Sequence, residues 1–249
     1  MKKFLFIYFL FNLVIFGIDA EYLFQKGNEH YRNSKYDEAL VCYKSILDAN
    51  YESAELYYNL ANVYYKLNKI GYAILYYEKA LKLSPNDEDI KYNLSLAQLQ
   101  TIDKINPLPK VWLWEIYENY LNIFHLNTWA ILTLLFLITA VASGLIFIFY
   151  QNFLIQKYSF IAAIIFTILF IATALSTLGK YNLEMSEIYG IVLENSVIVK
   201  TSPDEKSSDA FILHEGTKAK LVDQIGDWNL IKLLDGKTGW IPVKAFGKI

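Results

Sequence analysis

The sequence predicts a multidomain α plus β membrane protein, with an α-helical repeat array, a two-helix transmembrane hairpin and a C-terminal all-β barrel. Three observations predict this fold class. Hydrophobic residues make up 55% of the 249 residues, which is high for a purely soluble protein. Residues 128–178 contain a single charged side chain, Lys157, whereas the segments on either side carry ordinary charge. From residue 187 onwards, helical spacing gives way to short β-branched runs.

Net charge and the inventory of reactive side chains exclude several classes of function. A formal net charge of −2 and a pI near 6.0 give no basic surface for nucleic acid. Cys42 is the only cysteine, so no intrachain disulfide and no multi-cysteine metal site can form. His30, His125 and His214 fall in different segments, and no nucleophile, nucleotide or zinc motif is present. We therefore predict a protein that is not an enzyme and that binds no cofactor or metal.

Residues 1–20 have the pattern of a secretory signal peptide. Two N-terminal lysines precede an apolar run from Phe4 to Ile18, and Ala20 is the small residue that signal peptidase requires. The alternative is an uncleaved N-terminal anchor, because Asp19 and the bulky aromatic residues make the cleavage site imperfect.

Residues 21–106 contain an internal repeat whose period, about 34 residues, is typical of tetratricopeptide repeats. Shifting the chain by one such period pairs Ala39 with Ala73 and Tyr43 with Tyr77. The segment resembles this family in Gly27, Tyr36, Ala39 and Tyr43, and again in Leu60, Ala61, Tyr64, Ala73, Tyr77, Ala80 and Pro85. The resemblance implies two helix-pair repeats, at about 20–53 and 54–87, and a capping helix at 87–100.

The resemblance also implies a concave groove lined by the first helices of the repeats. Such grooves bind peptide segments of partner proteins. The candidate groove residues are Asn28, Asn59, Asn62 and Tyr31. Asparagines at the positions of Asn28 and Asn59 hold the ligand backbone in peptide-binding members. The alternative is that these asparagines cap or bridge the helices.

Chaperone-binding members of the family clamp a terminal carboxylate with cationic side chains. This sequence has Phe24, Asp89 and Asn93 at the corresponding positions. We therefore do not expect a carboxylate clamp.

Two uncharged runs, 128–150 and 158–178, are each long enough to cross a bilayer as a helix, at roughly 34 and 32 Å. The connection at 151–157 is too short to hold a domain, so the flanking domains must lie on the same side of the membrane. Small residues, including Gly144, offer a place where the two helices could approach closely. Residues 107–127 precede the hairpin, and Lys110 to Phe124 is interpreted as an amphipathic helix at the membrane interface. The alternative is a helix packed against the repeat cap.

The C-terminal segment, 183–249, is predicted to be a small β domain. Its runs are Ile188–Leu193, Val197–Lys200, Phe211–Leu213, Thr217–Gln224, Trp228–Leu233 and Thr238–Pro242. The stretches 197–203, 211–216, 228–231 and 235–241 closely resemble bacterial SH3-like (SH3b) domains. Members of that family often bind peptidoglycan or peptides, which makes Tyr189, Trp228, Trp240 and Phe246 candidate groove residues. The alternative is that some of these aromatic residues form the core of a small domain.

The order of these segments resembles the BatE-type proteins of the Bat (aerotolerance) operons. The resemblance implies a membrane-anchored adaptor in a bacterial envelope complex, with von Willebrand A domain Bat proteins as partners and a link to aerotolerance or stress resistance. With an exported N-terminus, the protein would span the inner membrane twice, with repeats and SH3b domain extracytoplasmic and the loop at 151–157 cytoplasmic. The alternative function is a peptidoglycan-binding envelope sensor that acts through the SH3b domain.

Overall fold

The computed structural model describes residues 20–106, 108–109, 111–185 and 188–249. They form two compact units, one containing the described residues up to Leu108 together with Ile188–Ile249, and the other spanning Pro109–Glu187. The predicted signal peptide, apart from Ala20, lies outside the described residues, so its prediction is not tested by the structure.

Five helices form the first part of unit one. Helix α1 covers residues 20–32, and it is followed by α2 (Tyr36–Asp48), α3 (Ala54–Lys66), α4 (Ile70–Leu83) and α5 (Glu88–Leu99). Their backbone follows the predicted period. Ser34 and Asn68 have positive φ values of 58° and 57°, in the turns inside the two repeats. Ser53 and Asp87, which are also one repeat period apart, cap the N-termini of α3 and α5 with their side chains.

Small residues let the helices of each repeat pack closely. Ala39, Ala61 and Ala73 are fully buried. A Cβ atom added to Gly27 would lie 2.5 Å from the ring of Tyr43, closer than atoms can approach. The predicted helical array with close-packed helix pairs is confirmed.

Unit two contains α6 (Trp112–Leu121), α7 (Leu126–Phe149) and α8 (Phe153–Met185). Helices α7 and α8 are long and apolar enough to cross a membrane. Helix α8 begins before the predicted span of 158–178, so most of the predicted loop at 151–157 is helical. The reason is an N-cap, since Asn152 Oδ1 accepts hydrogen bonds from the backbone N–H groups of Leu154 and Ile155 at 3.0 and 3.3 Å.

Gly144, one of the small residues suggested by the sequence, does not lie at the contact between α7 and α8. A Cβ atom added to Gly144 would meet nothing within 4 Å. The helices instead share a hydrogen bond of 3.0 Å between the hydroxyls of Thr133 and Thr177, and an aromatic contact between Phe147 and Phe160 at 5.2 Å.

Helix α6 packs onto the end of this hairpin. Leu121 is fully buried, and the Tyr120 hydroxyl lies 2.8 Å from Ser176 Oγ in α8. Lys180 donates to Asn122 Oδ1 at 2.7 Å. The helix is shorter than the predicted range from Lys110 to Phe124, and these contacts fix its C-terminal end to α8.

The C-terminal sheet is antiparallel throughout. Its strands are β1 (Ile188–Val192), β2 (Ser196–Lys200), β3 (Asp209–His214), β4 (Lys218–Ile225), β5 (Trp228–Lys232), β6 (Thr238–Pro242) and β7 (Phe246–Lys248). The six predicted runs all form strands, and β7 is an additional short strand. The order is β3-β2-β6-β5-β4-β1-β7. Strands β3 and β7 are therefore edges, so the sheet is open and is not the closed barrel that the sequence predicted.

The strands share one hydrophobic core. Val192 in β1 and Val199 in β2 belong to the same buried cluster, although three strands separate them in the sheet.

One face of the sheet domain packs against α4 of the repeat array. Ile191 of β1 is fully buried within the core cluster of the array. The backbone N–H of Gly71 donates to Glu215 Oε2 at 2.9 Å, and Lys218 Nζ lies 2.9 Å from Glu78 Oε2. The repeats and the sheet form a single compact unit.

Asp103, in the segment after α5, adds a polar link to the sheet domain. Its carboxylate accepts hydrogen bonds from the backbone N–H of His214 and the hydroxyl of Thr217, both at 2.7 Å, and lies 2.9 Å from His214 Nδ1. Burial alone would raise the pKa of Asp103, but these hydrogen bonds outweigh it and hold the pKa below its ordinary value.

Candidate functional site

The repeat array encloses a cleft between α1, α3 and α5, with a volume of about 420 Å³. We call it the tyrosine cleft. It is lined by Tyr31, Tyr58, Asn62, Tyr65, Lys66, Tyr77, Asn93 and Leu96. Four tyrosines and two amides give it a neutral surface with many hydrogen-bonding groups and one cation. Such a surface suits a polypeptide segment, whose backbone offers both donors and acceptors.

Two of the predicted groove residues, Tyr31 and Asn62, line the tyrosine cleft. Asn28 and Asn59 are not among its lining residues. The Asn28 carbonyl oxygen instead accepts hydrogen bonds from the Tyr43 hydroxyl at 2.6 Å and from Asn59 Nδ2 at 3.1 Å. Asn28 and Asn59 therefore bridge α1, α2 and α3, which is the structural alternative considered for them.

The same hydrogen bond occurs again at the equivalent positions of the second repeat. The Tyr77 hydroxyl donates to Asn62 Oδ1 at 2.5 Å, which repeats the bond between Tyr43 and Asn28. Burial raises the pKa of both tyrosine hydroxyls, so each remains a protonated donor. The Asn62 side-chain oxygen thus accepts a hydrogen bond from within the array, and Asn62 also lines the tyrosine cleft.

Replacing Tyr77 with phenylalanine is expected to lower the free energy of unfolding by about 1–2 kcal/mol, because the half-buried Asn62 carbonyl loses its donor. Tyr43→Phe is expected to have a similar effect, since it breaks the equivalent bond of the first repeat. Chemical unfolding followed by circular dichroism measures both. Tyr92→Phe, at a tyrosine that is 65% exposed, is the control and should leave stability unchanged.

Several lining residues were not identified from the sequence. Tyr58 and Tyr65 lie on α3, and their hydroxyls accept hydrogen bonds from Asn93 Nδ2 at 2.6 Å and Gln100 Nε2 at 2.5 Å. Tyr65 lies one repeat period after Tyr31, so the repeat itself was the signal for it. Leu96 gave no such signal, because the third segment lacks the second helix of a repeat.

Two smaller clefts continue from the tyrosine cleft along the starts of the helices. One, of about 220 Å³, shares Tyr58 with it and is also lined by Ala54, Glu55, Asp87, Asp89 and Ile90. The next, of about 370 Å³, shares Glu55 and is lined by Ala20, Glu21, Phe24, Gln25, Ile46, Tyr51, Glu52, Ser53 and Leu56. We call the three clefts together the groove, since each neighbouring pair shares one lining residue.

The aromatic residues predicted for a groove in the sheet domain are in different environments. Phe246 is buried in the domain core, and the Tyr189 ring lies 5.5 Å from Lys218 Nζ, which also pairs with Glu78 of α4. Trp228 and Trp240 are half-buried on neighbouring strands. Phe246 therefore belongs to the core, whereas the other three residues are partly exposed.

No metal centre is formed by the parts of the chain that the structure describes, since no three His, Cys, Asp or Glu side chains there are placed to hold an ion. His214 contacts Asp103, as described above.

Residues 24–88 match the family model described as tetratricopeptide repeat. A search of curated protein sequences returns no match. Among solved structures, the array is similar to the first TPR of Spaghetti (RPAP3) bound to the HSP90 peptide SRMEEVD. That similarity has 24% sequence identity, covers 32% of this chain and 91% of that chain, and has a TM-score of 0.23. The sequence match and the observed helix pairs agree that residues 24–88 are built as tetratricopeptide repeats.

Proposed function

We propose that this protein is an adaptor that binds a segment of a partner protein in the groove of its repeats while two helices anchor it in a membrane. The observation that carries this proposal is the open groove itself. Helix α4 is covered by the sheet domain through Ile191 and Glu215. The groove side retains half-exposed polar and aromatic side chains, including Tyr31, Tyr58 and Asn93, and such side chains suit a bound polypeptide.

Membrane anchoring is supported by the surface of unit two. Apolar side chains of α7 and α8 are widely exposed, including Ile131, Ile148 and Ile168 at 65%, 68% and 61%. A helix pair that is apolar on all sides would be unstable in water and fits lipid surroundings. The exposed Trp112 and Leu113 of α6 support a position of this helix at the membrane interface.

Orientation and membership of an envelope complex are further parts of the proposal. The repeats and the sheet domain would lie on the extracytoplasmic side of a bacterial inner membrane, with Bat proteins carrying von Willebrand A domains as partners and a role in aerotolerance or stress resistance. Alkaline phosphatase fused after Ile249 should be active in this topology. An inactive fusion, with the full chain present in the membrane, would contradict it.

Affinity capture of the full chain from mild detergent tests the adaptor function. Leu96→Arg places a long charged side chain in the tyrosine cleft and should release partners captured by the unaltered protein. Tyr92→Arg, which also introduces an arginine but at an exposed position of α5, should retain them. Thermal unfolding verifies that both variants fold. Retention of every partner by folded Leu96→Arg would contradict binding in the groove.

A second candidate function is favoured by Trp228 and Trp240. Leu230 is paired with Trp240 and Trp228 with Pro242 on β5 and β6, and all four side chains are half-exposed. Such a strip of aromatic and apolar side chains could bind peptidoglycan. The full chain should then sediment with purified sacculi, and a Trp228→Ala, Trp240→Ala variant should not. Absence of the unaltered chain from the pellet would remove this candidate.

A further inference from the structure

The groove is strongly asymmetric in charge. Its end nearest the starts of α3 and α5, which we call the acidic end, carries five carboxylates: Glu21, Glu52, Glu55, Asp87 and Asp89. Neither of the two clefts at this end has a lysine or arginine among its lining residues. The tyrosine cleft contributes one cation, Lys66.

Helix capping accounts for only part of this charge. Asp87 accepts hydrogen bonds from the backbone N–H groups of Asp89 and Ile90, so it is the N-cap of α5. The starts of α3 and α5 supply about half a positive charge each, and Glu52 also interacts electrostatically with Lys79, so the five negative charges are only partly compensated. Among the residues that the structure describes, Glu55 and Asp89 have no cationic partner, whereas the adjacent Glu88 pairs with Lys91 at 2.8 Å.

Tyr58 connects the acidic end to the tyrosine cleft. It lines both clefts, its ring lies 6.0 Å from that of Tyr77, and its hydroxyl accepts a hydrogen bond from Asn93. Tyrosine faces attract cations, and nearby carboxylates add their own electrostatic attraction. A cationic side chain between Glu55 and Asp89 would thus be followed by a neutral surface for the rest of the bound segment.

We propose that the occupant of this groove is a basic segment of a partner protein, with a lysine or arginine side chain between Glu55 and Asp89. The proposal rests on the adaptor function and specifies the charge of the segment that binds. Like charges at this end would repel an acidic segment, so the groove selects against acidic peptides as well as for basic ones.

Fluorescence anisotropy with the full chain in mild detergent tests this proposal. The probes are two seven-residue peptides with blocked termini, with lysine at three alternate positions in one and glutamate at those positions in the other. The lysine peptide should bind at least about tenfold more tightly, and added salt should weaken it. Failure of the lysine peptide to bind, or equal binding of the glutamate peptide, would overturn the proposal.

Variants that change the charge of the acidic end test whether the lysine peptide binds there. A Glu55→Lys, Asp89→Lys variant should lose at least about tenfold in affinity for the lysine peptide. Glu205→Lys is the control. Glu205 is exposed in the loop between β2 and β3, and its substitution makes the same charge change per site, so the affinity should change less than about twofold. The neutral Glu55→Gln, Asp89→Asn variant gives the same comparison with less disturbance of the helix starts. Unchanged affinity in both double variants would overturn the proposal.

Affinity capture with the same variants distinguishes this proposal from the adaptor function. If Leu96→Arg releases them and the double charge reversal does not, the groove binds protein without the proposed charge selection. If neither variant releases any partner, both proposals fail.

Discussion

Replacing Gly71 with valine is expected to lower the free energy of unfolding of unit one by about 2–4 kcal/mol. A Cβ atom at this position would lie 2.7 Å from the carbonyl oxygen of Val192 and 3.2 Å from the backbone nitrogen of Gly216. Because both neighbours are backbone atoms, they cannot rotate away, and α4 must separate from β1. The hydrogen bond from the Gly71 backbone to Glu215 would be weakened at the same time.

Chemical unfolding of the full chain, followed by circular dichroism, measures this effect. Gly144→Val is the matched control, since Gly144 also lies in a helix but nothing lies within 4 Å of its added Cβ. We also expect protease to cleave Gly71→Val more readily than the unaltered protein in the segment that directly follows α5, around residues 100–106. Equal stability of Gly71→Val and the unaltered protein would mean that α4 and the sheet are not packed together.

Replacing Asp103 with alanine should cost about 2–4 kcal/mol, because the His214 backbone N–H and the Thr217 hydroxyl both lose their acceptor in a partly buried place. The same carboxylate makes stability depend on pH. Its pKa is lower in the folded protein than in the unfolded chain, so the stabilisation is complete above the unfolded value of about 3.9 and is lost as the pH falls through the folded value.

Thermal unfolding between pH 3 and pH 7 measures this dependence. The unaltered protein should lose stability below about pH 4, and Asp103→Asn should show a smaller loss over the same interval. Asp227→Asn, at an exposed aspartate, should follow the unaltered protein. Identical pH profiles for Asp103→Asn and the unaltered protein would contradict a role for the Asp103 carboxylate in joining the repeats to the sheet.

The repeats were predictable because their signals are local. The repeat offset identifies equivalent positions directly, and the hydrogen bonds from Tyr43 to Asn28 and from Tyr77 to Asn62 recur at that offset. The strands were predictable for a similar reason, since each is a short β-branched run between turn residues. Helix α8 was predicted too short because hydropathy marks only the apolar part of a helix, whereas the Asn152 cap sets where it starts.

The packing of the repeats on the sheet was not predictable from such patterns. Gly71 and Glu215 are 144 positions apart, and a glycine in a helix or a glutamate in a turn has many ordinary explanations by itself. The roles of Asn28 and Asn59 were left open for the same reason. An asparagine on a groove-lining helix can bind a ligand or a neighbouring tyrosine, and only the positions of α1, α2 and α3 decide between them.

The most direct test of a partner in the groove is site-specific photo-cross-linking in cells. A photoreactive phenylalanine derivative replaces Tyr65, which lines the tyrosine cleft, or Tyr22, which is 62% exposed on α1 and lines none of the three clefts. Binding in the groove predicts a discrete cross-linked protein product from position 65 that is absent from position 22. No product from position 65, with the variant folded and membrane-bound, would contradict it.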